Sequence, residues 1–275
     1  MLAWLRSPAS ETGISHGQRL WLYGISIVIM ILLIAPTLIV IPMSFSESQY
    51  LEFPPESWST RWYGHYFGSS EWMLATGTSF KAAFWTMLVA TPIGVLAAYG
   101  LHCSKVRYLR AAFLLMITPM MIPVVLVAIG VFYAYVKLGI LYTLTGLVLA
   151  HTVLALPLVV IVTGAALKSY DMSQEEAARS LGAPRWKAFL TITLPQIRFA
   201  VVTGALLSFL TSFDEVVVAM FISGGDNPTL TRSMFNALRD QIDPTIASIS
   251  TIMVLVTTLL MALAQIFGQQ KDGSG

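Results

Sequence analysis

The sequence predicts an all-α integral membrane protein with six transmembrane helices and a cytoplasmic N-terminus. Of its 275 residues, 56% are hydrophobic and only 11% charged, whereas soluble domains carry roughly 25% charged residues. The charges are also distributed so as to leave six intervals near the length of about 20 mostly apolar residues that a bilayer crossing requires.

Helix 1 is predicted over residues 20–43, behind Arg6, His16 and Arg19. No small-residue cleavage pattern follows it, so it reads as an uncleaved span and not as a signal peptide. The next 29 positions, 44–72, form an aromatic-rich outer loop with Glu47, Glu52, Glu56 and Glu71. Aromatics at headgroup depth explain such a loop, and contact with a soluble external partner is the functional alternative. Helix 2 is expected over 76–101 with Lys81 near its start, helix 3 over 111–136, helix 4 over 142–167, helix 5 over 196–223 and helix 6 over 245–267. Between the last two, Gly224-Gly225-Asp226-Asn227-Pro228 is a turn signal, 231–240 a short helix, and Pro244 an opener for helix 6. Pro92, Pro119, Pro123 and Pro157 read as kinks. Gly94, Ala97, Ala98, Gly146 and Ala150 are small enough to let helices approach.

Basic residues set the orientation, because cytoplasmic loops are enriched in them. An inside N-terminus places Arg6, Arg19, Lys105, Arg107, Arg110, Lys168, Arg179, Arg185, Lys187, Arg198 and Lys271 on the cytoplasmic side, eleven of the 16 Lys and Arg. Arg61, Lys81, Lys137, Arg232 and Arg239 then lie outside or near the outer ends. A net charge of +2 with scattered basic residues excludes nucleic acid as a partner. The single cysteine, Cys103, excludes an internal disulfide and a Cys/His zinc cluster, and no metal site is expected.

A polar island, residues 173–195, interrupts the apolar pattern on the cytoplasmic side. Ser173 and Glu176 have capping-box spacing, which would start a helix, and Gly182 supplies its stop. Pro184 suits the first turn of a second helix, expected to end near Leu194 because the residue before Pro195 is steered from α geometry. Glu175 and Arg179 stand at i,i+4, an ion-pair spacing that would support the first helix. Ala177 and Ala178 leave a small-residue face, so the island reads as a docking surface.

Glu176-Ala177-Ala178, three residues, Gly182, nine residues, Ile192, one residue and Leu194-Pro195 together match the "EAA" loop of permease subunits in bacterial ABC importers, which this chain resembles over about 76–267. The resemblance implies the type I ABC importer permease fold in the bacterial cytoplasmic (inner) membrane. It divides the chain into an N-terminal part with the first helix and outer loop (1–74), a permease domain (75–268) with a coupling loop at 168–195, and a tail (269–275). In that family the loop sits in a groove of the ATP-binding subunit, so Glu175, Glu176, Ala177, Ala178, Arg179, Gly182, Ala183 and Pro184 are the expected ATPase contacts. Six spans with one such loop make half a transporter. The implied partners are two ABC ATPase subunits, a second homologous permease (a heterodimer favoured over a homodimer), an external solute-binding protein and membrane lipid. The chain has no phosphate-binding Gly-x-x-x-x-Gly-Lys-Ser/Thr loop; no catalytic residue and no bound cofactor are expected, with ATP and Mg held by the partner ATPases.

Ser212 to Val218, Thr229-Leu230-Thr231, Phe53-Pro54-Pro55 ahead of Arg61-Trp62-Tyr63, and His151-Thr152 with Pro157 look like the spermidine/putrescine branch of the family. Permeases for opines, 4-aminobutyrate and other organic solutes share these features, and fold analogy does not fix a ligand. Asp214 and Glu215 carry weight of their own, since ionisable groups inside a span are costly and face a pathway or a partner. At about 1.5 Å per residue, Asp214 lies roughly 28 Å along a straight helix from Pro195, in the outer half of the membrane. Adjacent helical residues point apart, so one acid can face the route while the other caps or pairs locally. His151 is the third candidate for the pathway, with hydrogen bonding to a neighbouring helix as its plainer role. An ion-driven secondary transporter would use the same three residues, but no inverted repeat supports it. A membrane enzyme lacks the paired carboxylates or metal-spaced histidines it would need.

Overall fold

The computed structural model describes residues 16–104, 106, 108–240 and 242–269. Arg6, Lys105, Arg107 and Lys271, used above to orient the chain, lie outside the described residues, as do positions 270–275 of the tail. Twelve helices follow: α1 Leu20–Met43, α2 Arg61–Gly68, α3 Ser70–Cys103, α4 Leu109–Ile117, α5 Val124–Leu138, α6 Leu144–Ser169, α7 Ser173–Ser180, α8 Arg185–Gln196, α9 Arg198–Phe213, α10 Val217–Ile222, α11 Leu230–Asp240 and α12 Thr245–Gln269. Among the described residues four helices are long and apolar enough to cross a membrane, and up to six spans result if each of two bent pairs is one span.

Both bent pairs depart from the continuous helices expected. Within 111–136, α4 gives way to a 3-10 turn over Thr118–Met120, and α5 leaves at 99°. Pro119 and Pro123 explain the break, since each removes a backbone donor that a continuing helix would use. The expected helix 5 is interrupted twice: α8 meets α9 at 80° beside Ile197, and α9 ends at Phe213, leaving Asp214 to Val216 between it and α10. The 28 Å straight-helix placement of Asp214 therefore does not hold. Pro195 does not end its helix either. Phe189–Thr193 form a π segment, and Leu194, in αR geometry, carries the helix through Pro195 to Gln196. Such widened turns occur as single insertions within α-helices.

Two compact units divide the chain. Residues 1–66 with 242–255 form the first. None of the side chains of α1 is buried by the chain itself, as suits a helix that is apolar all round and solvated by lipid. The outer loop is folded: Ser44 Oγ and Tyr63 Oη are 2.7 Å apart, Trp62 Nε1 donates to the Ser48 carbonyl at 3.0 Å, and His65 Nδ1 lies 3.0 Å from Thr245 Oγ1.

The second unit, 67–241 with 256–275, is built on α3, α6 and α9, which pack pairwise. α3 starts six residues before its expected position because Ser69 Oγ caps it by accepting from Trp72 N, and α6 is capped in the same way by Thr143 Oγ1. Close packing centres on Val159 of α6, 0% exposed. A Cβ at Gly94 of α3 would lie 2.6 Å from Val159 Cβ, and one at Gly204 of α9 would lie 3.3 Å from Val159 Cγ1. Glycine at both positions is what admits the valine. Gly146 has another reason to be small: its missing Cβ would meet the Ile140 carbonyl at 2.5 Å, within the turn that precedes α6.

Candidate functional site

The polar island folds as a helix, an elbow and a second helix, but its first turn is not the expected capping box. Asp171 does the capping: its Oδ1 accepts the Ser173 amide at 3.0 Å and its Oδ2 accepts the Ser173 hydroxyl at 2.8 Å. These bonds favour the charged carboxylate and hold Asp171 below its ordinary range. Ser173 is then the first residue of α7, and Glu176 projects into solvent.

The far end of α7 is as the glycine predicts. Gly182 stands at φ +93°, its amide bonds the Arg179 carbonyl at 3.0 Å, and the Ala183 amide reaches back to the Ala178 carbonyl at 3.1 Å. This is a Schellman closure, which needs a residue tolerant of left-handed geometry. Pro184 then accepts the amides of Lys187 and Ala188 of α8 on its carbonyl, at 3.0 and 3.1 Å. Across the elbow, Glu176, Ala177, Arg179, Gly182 and Pro184 are exposed and Ala178 and Ala183 half-buried. Two large apolar side chains share this surface, Leu181 at 91% and Trp186 at 66% exposure.

Glu175 behaves otherwise. It makes no ion pair with Arg179; among the described residues the one ion pair is Arg239–Asp240, which holds the Asp240 carboxyl below its ordinary range. Instead the Glu175 side chain is 0% exposed. The Tyr99 hydroxyl donates to its Oε1 at 2.5 Å and the Thr193 hydroxyl donates to Oε2. Arg185 Nε donates to Tyr99 Oη at 3.3 Å, with its guanidinium carbon 5.4 Å from the ring centroid, and Phe189 packs on the same ring.

The second candidate region is the break after α9. Glu215 is a local cap, since its Oε2 accepts the amides of Val218 at 2.8 Å and Ala219 at 3.1 Å, opening α10. Its carbonyl accepts the Thr231 hydroxyl at 2.8 Å, tying α11 to the break. Asp214, by contrast, is exposed at the C-terminal end of α9 and uses only its amide, bonded to the Leu210 carbonyl at 2.9 Å. A negative charge at a helix C-terminus is disfavoured by the helix dipole, so Asp214 does not stabilise α9.

His151 is 1% exposed on α6, with Nδ1 2.7 Å from Ser212 Oγ of α9, whose hydroxyl reaches Thr86 of α3 at 3.3 Å. Its Nε2 is buried without a hydrogen-bond partner. These three side chains link the three central helices and end two residues before Asp214. Sequence reasoning missed Tyr99, Thr193 and Arg185 around Glu175, and Thr86 and Ser212 around His151. A hydroxyl was the only local signal at Tyr99, Thr193, Thr86 and Ser212, a basic side chain the only one at Arg185, and neither names a partner.

A helical, multi-pass chain that displays an EAA elbow on an exposed face has the design of an importer's membrane subunit. Residues 90–272 match the binding-protein-dependent transport system inner membrane component family, and the chain belongs to it: this is a permease subunit of an ABC importer, a multi-pass protein of the inner membrane. It is 30% identical over 238 residues, covering 86% of this chain and 92% of the relative, to the spermidine/putrescine transport system permease protein PotC of Haemophilus influenzae. It is 33% identical over 233 residues, 81% of each chain, to the putrescine transport system permease protein PotI of Escherichia coli. Among solved structures, a bacterial alginate ABC transporter in complex with an alginate pentasaccharide-bound periplasmic protein matches 94% of this chain and 97% of its own with TM-score 0.72 at 18% identity, a likeness of fold alone.

Proposed function

We propose that this chain is one membrane half of an ATP-driven importer for a small polyamine of the putrescine or spermidine type, moved by ATPases that dock on the α7–α8 elbow. The observation that carries the docking is the surface itself: Leu181 and Trp186 exposed beside Glu176, Ala177 and Gly182. Large exposed apolar groups on a polar helical hairpin mark a protein contact, and the positive-inside bias supports a cytoplasmic position for that hairpin. ATP and Mg belong to the two ATPases. A second homologous permease, forming a heterodimer, completes the pathway, and an external solute-binding protein delivers the cargo.

The cargo reading is supported by the names of the relatives and by the chemistry of the break in helix 5. Asp214 offers an unpaired carboxylate, and its chain neighbour Phe213 clusters with Phe209 and with Phe80 of α3, the Phe80 and Phe213 centroids lying 4.9 Å apart. A carboxylate with aromatic rings is a site for ammonium groups. Purification from native membranes followed by reconstitution tests both parts. An ATPase subunit should accompany the chain, and labelled putrescine or spermidine should enter with ATP hydrolysis. A chain that arrives without an ATPase, or an importer that takes neither amine but takes 4-aminobutyrate or an opine, would overturn the corresponding part.

A further inference from the structure

We infer that Glu175 is a positioning residue: its buried carboxylate fastens α7 to α3 and α8 at once, so that the elbow moves with the central helices and not independently of them. The inference rests on the reading that an ATPase pushes on the elbow.

Eight residues make up α7, Ser-Gln-Glu-Glu-Ala-Ala-Arg-Ser, and Glu175 is the one among them that is buried. A helix this short does not persist alone, and tertiary packing must hold it. No large apolar side chain is available within α7 to do so. The attachment is polar, and polar in a directional way. Tyr99 lies four residues before the end of α3, in the same buried cluster as Val95, Val159 and Phe189. Thr193 lies in the π segment that leads through α8 toward α9. One carboxylate thus receives one hydroxyl from each of two elements of the bundle. From the outer side, Arg185 bonds and covers the Tyr99 phenol, closing the cluster toward solvent.

Stability alone is a poor reason for such a cluster. Burying a carboxylate carries a desolvation cost that its hydrogen bonds only offset, and well-packed apolar groups of the same volume stabilise as well or better. Geometry is the better reason. Apolar contacts slide, whereas hydrogen bonds to a carboxylate are short and fixed in direction. A force entering at Glu176 or Leu181 therefore reaches α3 and α8 through Glu175 without slack.

The test uses the complete transporter in proteoliposomes, with putrescine and spermidine as probes and with ATP hydrolysis and uptake measured together. Tyr99→Phe and Glu175→Gln should keep the ATPase subunit bound and still hydrolyse ATP, while the ATP consumed per amine imported rises about tenfold, the scale of losing one buried hydrogen bond to a charged group. Thr193→Ser, which retains the hydroxyl, should restore the ratio that Thr193→Val disturbs. An unchanged ratio in both Tyr99→Phe and Glu175→Gln would overturn the inference. So would Tyr99→Phe acting solely by removing the chain from the membrane, since that is attachment without transmission. Absence of an ATPase from the unmodified complex is a separate result, and it removes the underlying reading instead.

Discussion

Val159 of α6 occupies the space that a side chain on Gly94 of α3 would need, with 2.6 Å between Val159 Cβ and an added Cβ. Real carbon atoms do not approach so closely, so one of the two helices must shift if Gly94 gains a methyl group. Gly94→Ala should destabilise the bundle by about 1–3 kcal/mol, the usual cost of overpacking. Gly100→Ala is the control, because nothing lies within 4 Å of its added Cβ, and Ala is the better helix former. Thermal melting in detergent should separate the two variants by several degrees. Recovery of Gly94→Ala by Val159→Gly would assign the effect to this contact; an equal melting temperature for Gly94→Ala and the unmodified chain would refute it.

Gly182 and Glu176 separate the shape of the elbow from its chemistry. A β-branched residue at φ +93° costs of order 1–3 kcal/mol in backbone strain, so Gly182→Val should misdirect α8 relative to α7. Glu176→Lys leaves the fold alone and reverses the charge of an exposed group. Both variants should insert normally yet lose bound ATPase or uptake, measured by pull-down and by amine import. Normal retention with normal import in both would remove the elbow from the coupling role.

Much of this architecture is legible in the residues, and the failures share a cause. Spans, turns and the Gly182 stop depend on composition or on backbone preferences of single residues, which a sequence displays directly. Glu175 is an expected ATPase contact through the EAA resemblance, and its i,i+4 spacing to Arg179 suggests an ion pair that supports α7. Tyr99, 76 residues away, turns it inward, and no local pattern encodes that distance. The same holds for the break at Asp214 to Val216. A long, mostly apolar run predicts one helix through Asp214 and Glu215, but the Glu215 carboxylate caps α10 and the Thr231 hydroxyl holds the Glu215 carbonyl, which opens the backbone there.

Asp214 and Glu215 should respond differently to neutralisation. Asp214→Asn removes a charge that bonds to nothing in α9 or α10, so protein level and melting temperature should stay close to normal while KM for putrescine rises several-fold. Glu215→Gln weakens the carboxylate cap of α10 and should cost about 1 kcal/mol of stability, in the range of other lost helix caps. Uptake kinetics alongside thermal melting distinguish the two. If Asp214→Asn imports putrescine with unaltered KM and kcat, the acid is not on the route.

His151 has a structural role and a pathway role, and a double-mutant cycle with Ser212 distinguishes them. Their 2.7 Å hydrogen bond is buried between α6 and α9. Removing one partner leaves a buried polar group unsatisfied, at about 1–3 kcal/mol, whereas replacing both by apolar groups of similar shape is close to neutral. Ser212→Ala and His151→Phe should therefore each lower the melting temperature, and the double variant should lose less than the sum of the two through a coupling energy of about 1 kcal/mol or more, the bond from Ser212 to Thr86 remaining broken. Import by the stable double variant then decides the role. Retained uptake of putrescine makes His151 a helix-to-helix tie; abolished uptake in a chain that is folded, inserted and bound to its ATPase would put the imidazole on the path of the solute.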